Sequence, residues 1–201
     1  MEELSDAEMV AVSLSDPQAF GVVFDRHFRV IYGYLARRLS AADAEELAGE
    51  VFRVAFERRS TFDIGRASAL PWLYGIAANL VLKHRRRAGR ALRAMARLTG
   101  QAHAEEGQDP FSNIDARLDA DRLRGGVVAA LRSLPDVDRE LILLAAFSEL
   151  SYRQMAEALD LTEGTVKSKL SRSRTKLRER VFDFGEQQAG PQPCRVIGEP
   201  L

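Results

Sequence analysis

A single cysteine, Cys194, stands among the 201 residues, so no disulfide can close within the chain and a reducing cytoplasm is the expected setting. No apolar run is long enough to cross a bilayer, and membrane insertion is not expected. The opening MEELSDAEMV is acidic and does not read as a signal peptide. Net charge is missing too, since 29 Lys and Arg are offset by 29 Asp and Glu. That balance hides a segregated distribution, which matters more than the total. Of the three histidines, His84 and His103 offer no metal-ligand spacing. His27 falls on an apolar helical stripe, where a packed, hydrogen-bonded ring is expected. No Ser/His/Asp set, metal cluster or glycine-rich phosphate loop can be picked out. The chain is therefore not expected to be an enzyme, nor to hold a metal or a cofactor.

Strand-type alternation is scarce and helical periodicity runs nearly throughout, which gives an all-α class. Hydrophobic residues at 46% are ample for a core, and 29% charged residues suit a helix-rich protein. A helix is expected to start at Ser15-Asp16-Pro17 and end near Leu39, with Phe20, Val23, Phe24, His27, Phe28, Ile31 and Leu35 recurring every three or four residues. Ser40 caps the next, whose apolar face is Leu47, Ala48, Val51 and Ala55. Asp43, Glu45, Glu46 and Glu50 form its acidic outer surface. Acids early in a helix complement the macrodipole; the sharper reading is a docking face for a basic partner. Residues 60–70 read as a loop, and Pro71 opens a helix with Leu73, Ile76, Ala77, Leu80 and Val81 buried.

The most informative stretch is Ser151 to Arg180. Ser151 and Gln154 make a capping box, and Met155, Ala156 and Leu159 share a face. Asp160 suits a left-handed exit, and Thr162 caps a second helix with Val166, Leu170, Leu177 and Val181 on one stripe. From Thr162 to Arg180 there are seven bases against two acids. Thr165, Ser168, Ser171, Arg172 and Thr175 occupy the opposite side. A helix-turn-helix presents its second helix to the major groove in this way.

A second basic patch follows the Pro71 helix: Lys83, Arg85, Arg86, Arg87, Arg90, Arg93 and Arg97, with no acid between them. Phe62, Trp72 and Tyr74 precede it, and aromatics beside bases suit single-stranded nucleic acid. For Trp72, a core place and a nucleic-acid contact are equally open. An acidic stretch with Gly100, Gly107 and Pro110 then reads as a flexible linker. The expected organisation is two small helical domains, 15–97 and 122–182, joined by a linker at 98–121. The second domain ends in the helix-turn-helix, and a mobile tail occupies 183–201.

Three stretches, DAEELAGEVFRVAFE, PWLYGIAANLVLKHRRR and LPDVDRELILLAAFSELSYRQMAEALDLTEGTVKSKLSRSRTKLRE, together resemble the bacterial RNA polymerase sigma-70 family. The likeness is closest to its extracytoplasmic-function (ECF) group, which keeps only domains two and four. It implies a cytoplasmic promoter-specificity subunit. Asp43, Glu46 and Glu50 would dock on the β′ clamp helices of core RNA polymerase, and the second domain would meet the β flap. Phe62, Asn79, Lys83, Arg85, Arg86 and Arg87 would bind the −10 element. There one base is captured flipped out, with Phe62 lining the pocket and Asn79 bonding the base edge. Thr165, Ser168 and Arg172 would read the −35 element, with Lys167, Lys169 and Arg153 at the backbone. The acidic linker would run toward the RNA exit channel. An anti-sigma factor is the implied regulator. Two departures stand out: Gly49 where the family usually has Gln, and Asp160 in place of a common Gly. The competing reading is a stand-alone helix-turn-helix regulator, LuxR-like, whose first domain senses or oligomerises. It leaves the acidic helix and the 62–87 segment without a role.

Overall fold

The computed structural model describes residues 4–66, 68–99 and 121–189, and every long element among them is an α-helix. Helix α1 (Asp6–Val12) precedes the first periodic stretch and is too short for periodicity to show it. Its signal is a capping box: the Glu8 N–H donates to Ser5 Oγ at 3.3 Å, and the Ser5 N–H donates to Glu8 Oε2 at 2.7 Å. Asp16 then caps a 3₁₀ turn at Pro17–Ala19, which leads into α2 (Phe20–Ala36). Ser40 caps α3 (Ala41–Glu57) by accepting from the Asp43 N–H at 3.1 Å.

Helix α4 runs Leu70–Thr99, well past its buried stripe of Leu73, Ile76, Ala77 and Val81. With α2 and α3 it encloses Val23, Ile31, Leu35, Leu47, Ala48, Val51 and Ala55. Phe24 and Phe28, both expected inside, instead stack at the surface edge of this core against Phe52. His27 is held as expected, its Nε2 2.7 Å from the Asp6 carboxylate.

The second half comprises α5 (Asp121–Arg132), α6 (Asp136–Phe147), α7 (Tyr152–Leu159) and α8 (Glu163–Ala189). Val166 and Leu170 of α8 are fully buried, and Leu177 packs on a small cluster of Val128, Leu131, Leu134 and Leu143. Helix α8 continues to Ala189, so the start of the expected tail is helical. Nearly all of the expected linker, residues 100–120, and the end of the tail, 190–201, lie outside the described residues.

The two halves share one continuous core, because α7 lies along α4. At Gly75 the helices come so close that an added Cβ would stand 2.5 Å from the Ala158 carbonyl oxygen. Only glycine permits that approach. Glu140 of α6 is fully buried, and its hydrogen-bond partners lie in the first half. Tyr34 Oη donates to its carboxylate at 3.0 Å, Arg38 Nη1 at 2.6 Å and Arg85 Nη1 at 3.3 Å. The Arg38 guanidinium also stacks over the Tyr34 ring at 3.6 Å.

Candidate nucleic-acid interface

The helix-turn-helix is assembled from local rules. Ser151 and Gln154 cap α7 reciprocally, at 3.3 and 2.8 Å. Asp160 exits at φ 53 and ψ 49, the left-handed region, where a short polar side chain is tolerated better than most. The Leu161 N–H closes the turn on the Ala156 carbonyl at 2.9 Å, and Thr162 Oγ1 accepts from the Thr165 N–H at 3.2 Å. Burial of Val166, Leu170 and Ser173 then turns the opposite face of α8 outward.

On that outer face Lys167, Ser168, Ser171 and Arg172 are exposed and Thr165 is half-buried. Arg172 lies back along the helix, Nε donating to the Ser168 carbonyl at 3.2 Å. Lys167 pairs with Glu163 at 2.7 Å, and that hydrogen bond raises its pKa and keeps it charged. Arg153 of α7 is almost fully exposed, its Nε 3.5 Å from Glu157. Lys169 is the exception. It adjoins the buried stripe, and its Nζ is bound 2.6 Å from Asp138 of α6. The structure therefore does not bring it to the outer face.

The first-half surface is less uniform. Asn79, Lys83, Arg86 and Arg87 are exposed and fall on one side of α4, at spacings of four and three or four residues. Arg85 is six residues from Asn79 and points inward, to Glu140; burial depresses its pKa against the opposing pull of that carboxylate. Phe62 is only 7% exposed, its ring 5.1 Å from that of Trp72. It is a core residue here, and no open pocket wall is formed by its ring. Trp72 is half-buried and packs against the core. The loop between α3 and α4 places Ile64 in solvent, while Arg66 reaches Glu157 of α7 at 3.4 Å.

The acidic face of α3 is separate from both. Glu46 is exposed and Asp43 and Glu50 are half-exposed. Asp43 is engaged in the Ser40 cap. Glu50 takes a two-pronged bond from Arg53, at 2.6 and 2.7 Å, which lowers its pKa. Arg53 also binds Glu57. A Cβ at Gly49 would touch nothing within 4 Å, so a side chain there would enter open space.

Glu140 was not singled out by sequence reasoning, nor was Asp6. The signal for Glu140 was its place four residues before Leu144, on the stripe that faces inward. Among the described residues there is no group of three or more His, Cys, Asp and Glu suited to a metal, and no helix long and apolar enough to cross a membrane.

The family model for sigma-70 region 2 matches residues 23–91, and that for sigma-70 region 4 matches residues 124–177. The chain is 31% identical over 192 residues to the ECF RNA polymerase sigma factor SigW of Bacillus subtilis (strain 168), covering 92% of this chain and 100% of that one. It is 28% identical over 189 residues to the ECF RNA polymerase sigma-E factor of Escherichia coli (strain K12), covering 90% and 96%. In fold it is similar to the sigma factor RpoE solved with the anti-sigma factor NepR from Bartonella quintana, with a TM-score of 0.58 at 23% identity over 82% of this chain and 98% of that one. CnrH, solved with the cytosolic domain of CnrY, gives a TM-score of 0.58 at 22% identity over 89% and 97%.

Proposed function

The chain belongs to the sigma-70 family, in its ECF group, and from that membership we infer a transcription initiation factor that binds core RNA polymerase and directs it to specific promoters. It performs no chemistry itself and works where the polymerase is, in the cytoplasm. The observation that carries this reading is the outer face of α8. There small hydroxyl side chains and Arg172 stand exposed on a helix pre-aligned by the Asp160 turn. Thr165, Ser168 and Arg172 read the −35 element, and Lys167 and Arg153 bind its phosphates. Asn79, Lys83, Arg86 and Arg87 line the −10 strand, and Asp43, Glu46 and Glu50 meet the β′ clamp helices. Lys169, Arg85 and Phe62 join these surfaces only if their present partners are released.

Release follows from dimensions. The −35 and −10 elements lie about 25 base pairs apart, roughly 85 Å of duplex. A packed chain of this length has a radius of gyration of about 16 Å. The two halves therefore cannot reach both elements while α7 lies on α4, so promoter binding separates them. Glu140 is suited to a contact that must open: among the described residues Arg38 Nε and Nη2 find no hydrogen-bond partner, so the buried pairing is incomplete. An anti-sigma factor belongs to the same reading as the partner that withholds these surfaces.

Run-off transcription with bacterial core polymerase on a promoter library tests the proposal. Defined start sites that appear only when the chain is added are the expected result. A chain that fails to co-elute with core polymerase yet binds duplex DNA would instead be a stand-alone regulator.

A further inference from the structure

Helix α1 lies ahead of the segment matched by the region 2 family model, and nothing in the proposed function uses it. It nevertheless grips the loop between α3 and α4 at both feet. At the exit foot the Asp6 carboxylate accepts from the Ala69 N–H at 2.9 Å and from Ser68 Oγ at 3.1 Å. The same carboxylate sits 2.7 Å from His27 Nε2 and accepts from Arg26 Nη1 at 3.3 Å. At the entrance foot Arg59 Nε donates to the Ser13 carbonyl at 3.2 Å, and its Nη1 to the Phe56 carbonyl at 2.7 Å. Val10 and Ser13 are fully buried, so α1 is packed into the first-half core.

The partners of Asp6 show what the site requires. Burial alone would raise its pKa, yet the bonds from His27, Ala69 and Ser68 outweigh that and hold the carboxyl well below its usual range. A charged carboxylate with its side chain 8% exposed is thus committed to one helix of its own half, α2, and to the loop end. Between the feet the chain turns outward. Asp63 Oδ1 accepts from the Gly65 N–H at 3.0 Å, and Ile64 is 66% exposed at the tip.

We propose that α1 is a positioning element for promoter recognition, holding both feet of residues 59–69 so that the tip at Asp63–Gly65 meets the −10 strand in one pose. This rests on the reading that the loop contacts the −10 element. Asp6 and Arg59 do not touch DNA; they act through the loop. A loop with one loose foot has several tip poses, and a wrong base can select the pose that suits it. Discrimination between bases then falls, even where contact is kept.

The test uses the full chain with core polymerase on promoters carrying a fixed −35 element and a randomised −10 element. In Asp6→Ala the preference for the best −10 sequence over single-base variants should shrink by about tenfold, the scale of a charge-assisted hydrogen bond. Ser68→Ala, which keeps the backbone bond, should shrink it by about twofold. Affinity for −35 duplex and for core polymerase should not change. Hydrogen exchange should quicken at Gly65 and Arg66 but not within α3. If α3 also exchanges faster in Asp6→Ala, the fold is disturbed and Ser68→Ala decides. A uniform loss on every promoter, with the −10 preference intact, overturns the proposal and leaves Asp6 a purely structural residue. Asp63→Ala with Ile64→Ala separates the two levels. If it leaves the −10 preference unaltered, the loop does not read this element at all. If it alters the preference while the Asp6 and Ser68 variants do not, only the role of α1 fails.

Discussion

On α8 the side chains proposed to meet DNA are exposed, apart from half-buried Thr165 and from Lys169, drawn aside to Asp138; on α4 and its loop, Phe62 is buried and Arg85 turns in to Glu140. The contrast has a structural origin. The second-half surface is organised by its own caps, turn and stripe, all within thirty residues of sequence. The first-half surface takes its shape from α1 and α6 as well, through Asp6 and Glu140. Most of the α8 surface is exposed as folded, whereas the first-half surface is partly held by neighbouring elements.

The largest expected effect is at Glu140. Glu140→Ala takes the carboxylate from buried Arg38, which should cost about 3–5 kcal/mol in the packed state. Urea unfolding read separately in each half should show the loss of coupling. Affinity for a single-stranded −10 oligonucleotide should rise, since weakened packing lets the two halves separate, while −35 duplex binding stays the same. An unchanged −10 affinity would erase the contrast between the two surfaces. Gly75→Ala attacks the same contact without touching charge. Its Cβ would meet the Ala158 carbonyl at 2.5 Å, so α7 must move, at about 1–3 kcal/mol. Small-angle scattering should report a larger radius.

Within α8 the contrast sharpens from the other side. Arg172→Ala should cost about 1–3 kcal/mol on matched −35 DNA and relax preference at one base pair. Lys167→Ala should weaken matched and scrambled duplex alike and reduce the salt dependence. Equal effects of both changes on both duplexes would remove Arg172 from the reading face. Neither change should alter −10 binding. The smallest effect is at Gly49, on the acidic face of α3. Gly49→Ala meets nothing and should add about 1 kcal/mol of stability through helix propensity alone. Gly49→Gln should in addition tighten binding to core polymerase, measured by co-elution.

Much of this is readable in the sequence. The Ser151–Gln154 box, the left-handed Asp160, the Thr162 cap and the Val166–Leu170–Leu177 stripe all appear where the spacing puts them. The same kind of capping box at Ser5–Glu8 was just as visible, but seven helical residues carry too few turns for periodicity to support it. Phe62, Lys169 and Arg85 were harder. Residue type and helical angle put an aromatic or a cation near a DNA-facing surface, but its final partner came from another element.

Sequence by itself determined the all-helical class, the caps, the turn and the charged faces, because each depends on residues within one or two helical turns. Tertiary structure alone decided that Glu140 would meet Tyr34 and Arg38 across 106 and 102 residues, and that Asp6 would hold a loop end 63 residues away. Periodicity can say which way a side chain points along its own helix. What waits for it there depends on how separate helices pack, and a buried charge is tolerated only where that packing delivers its counterpart.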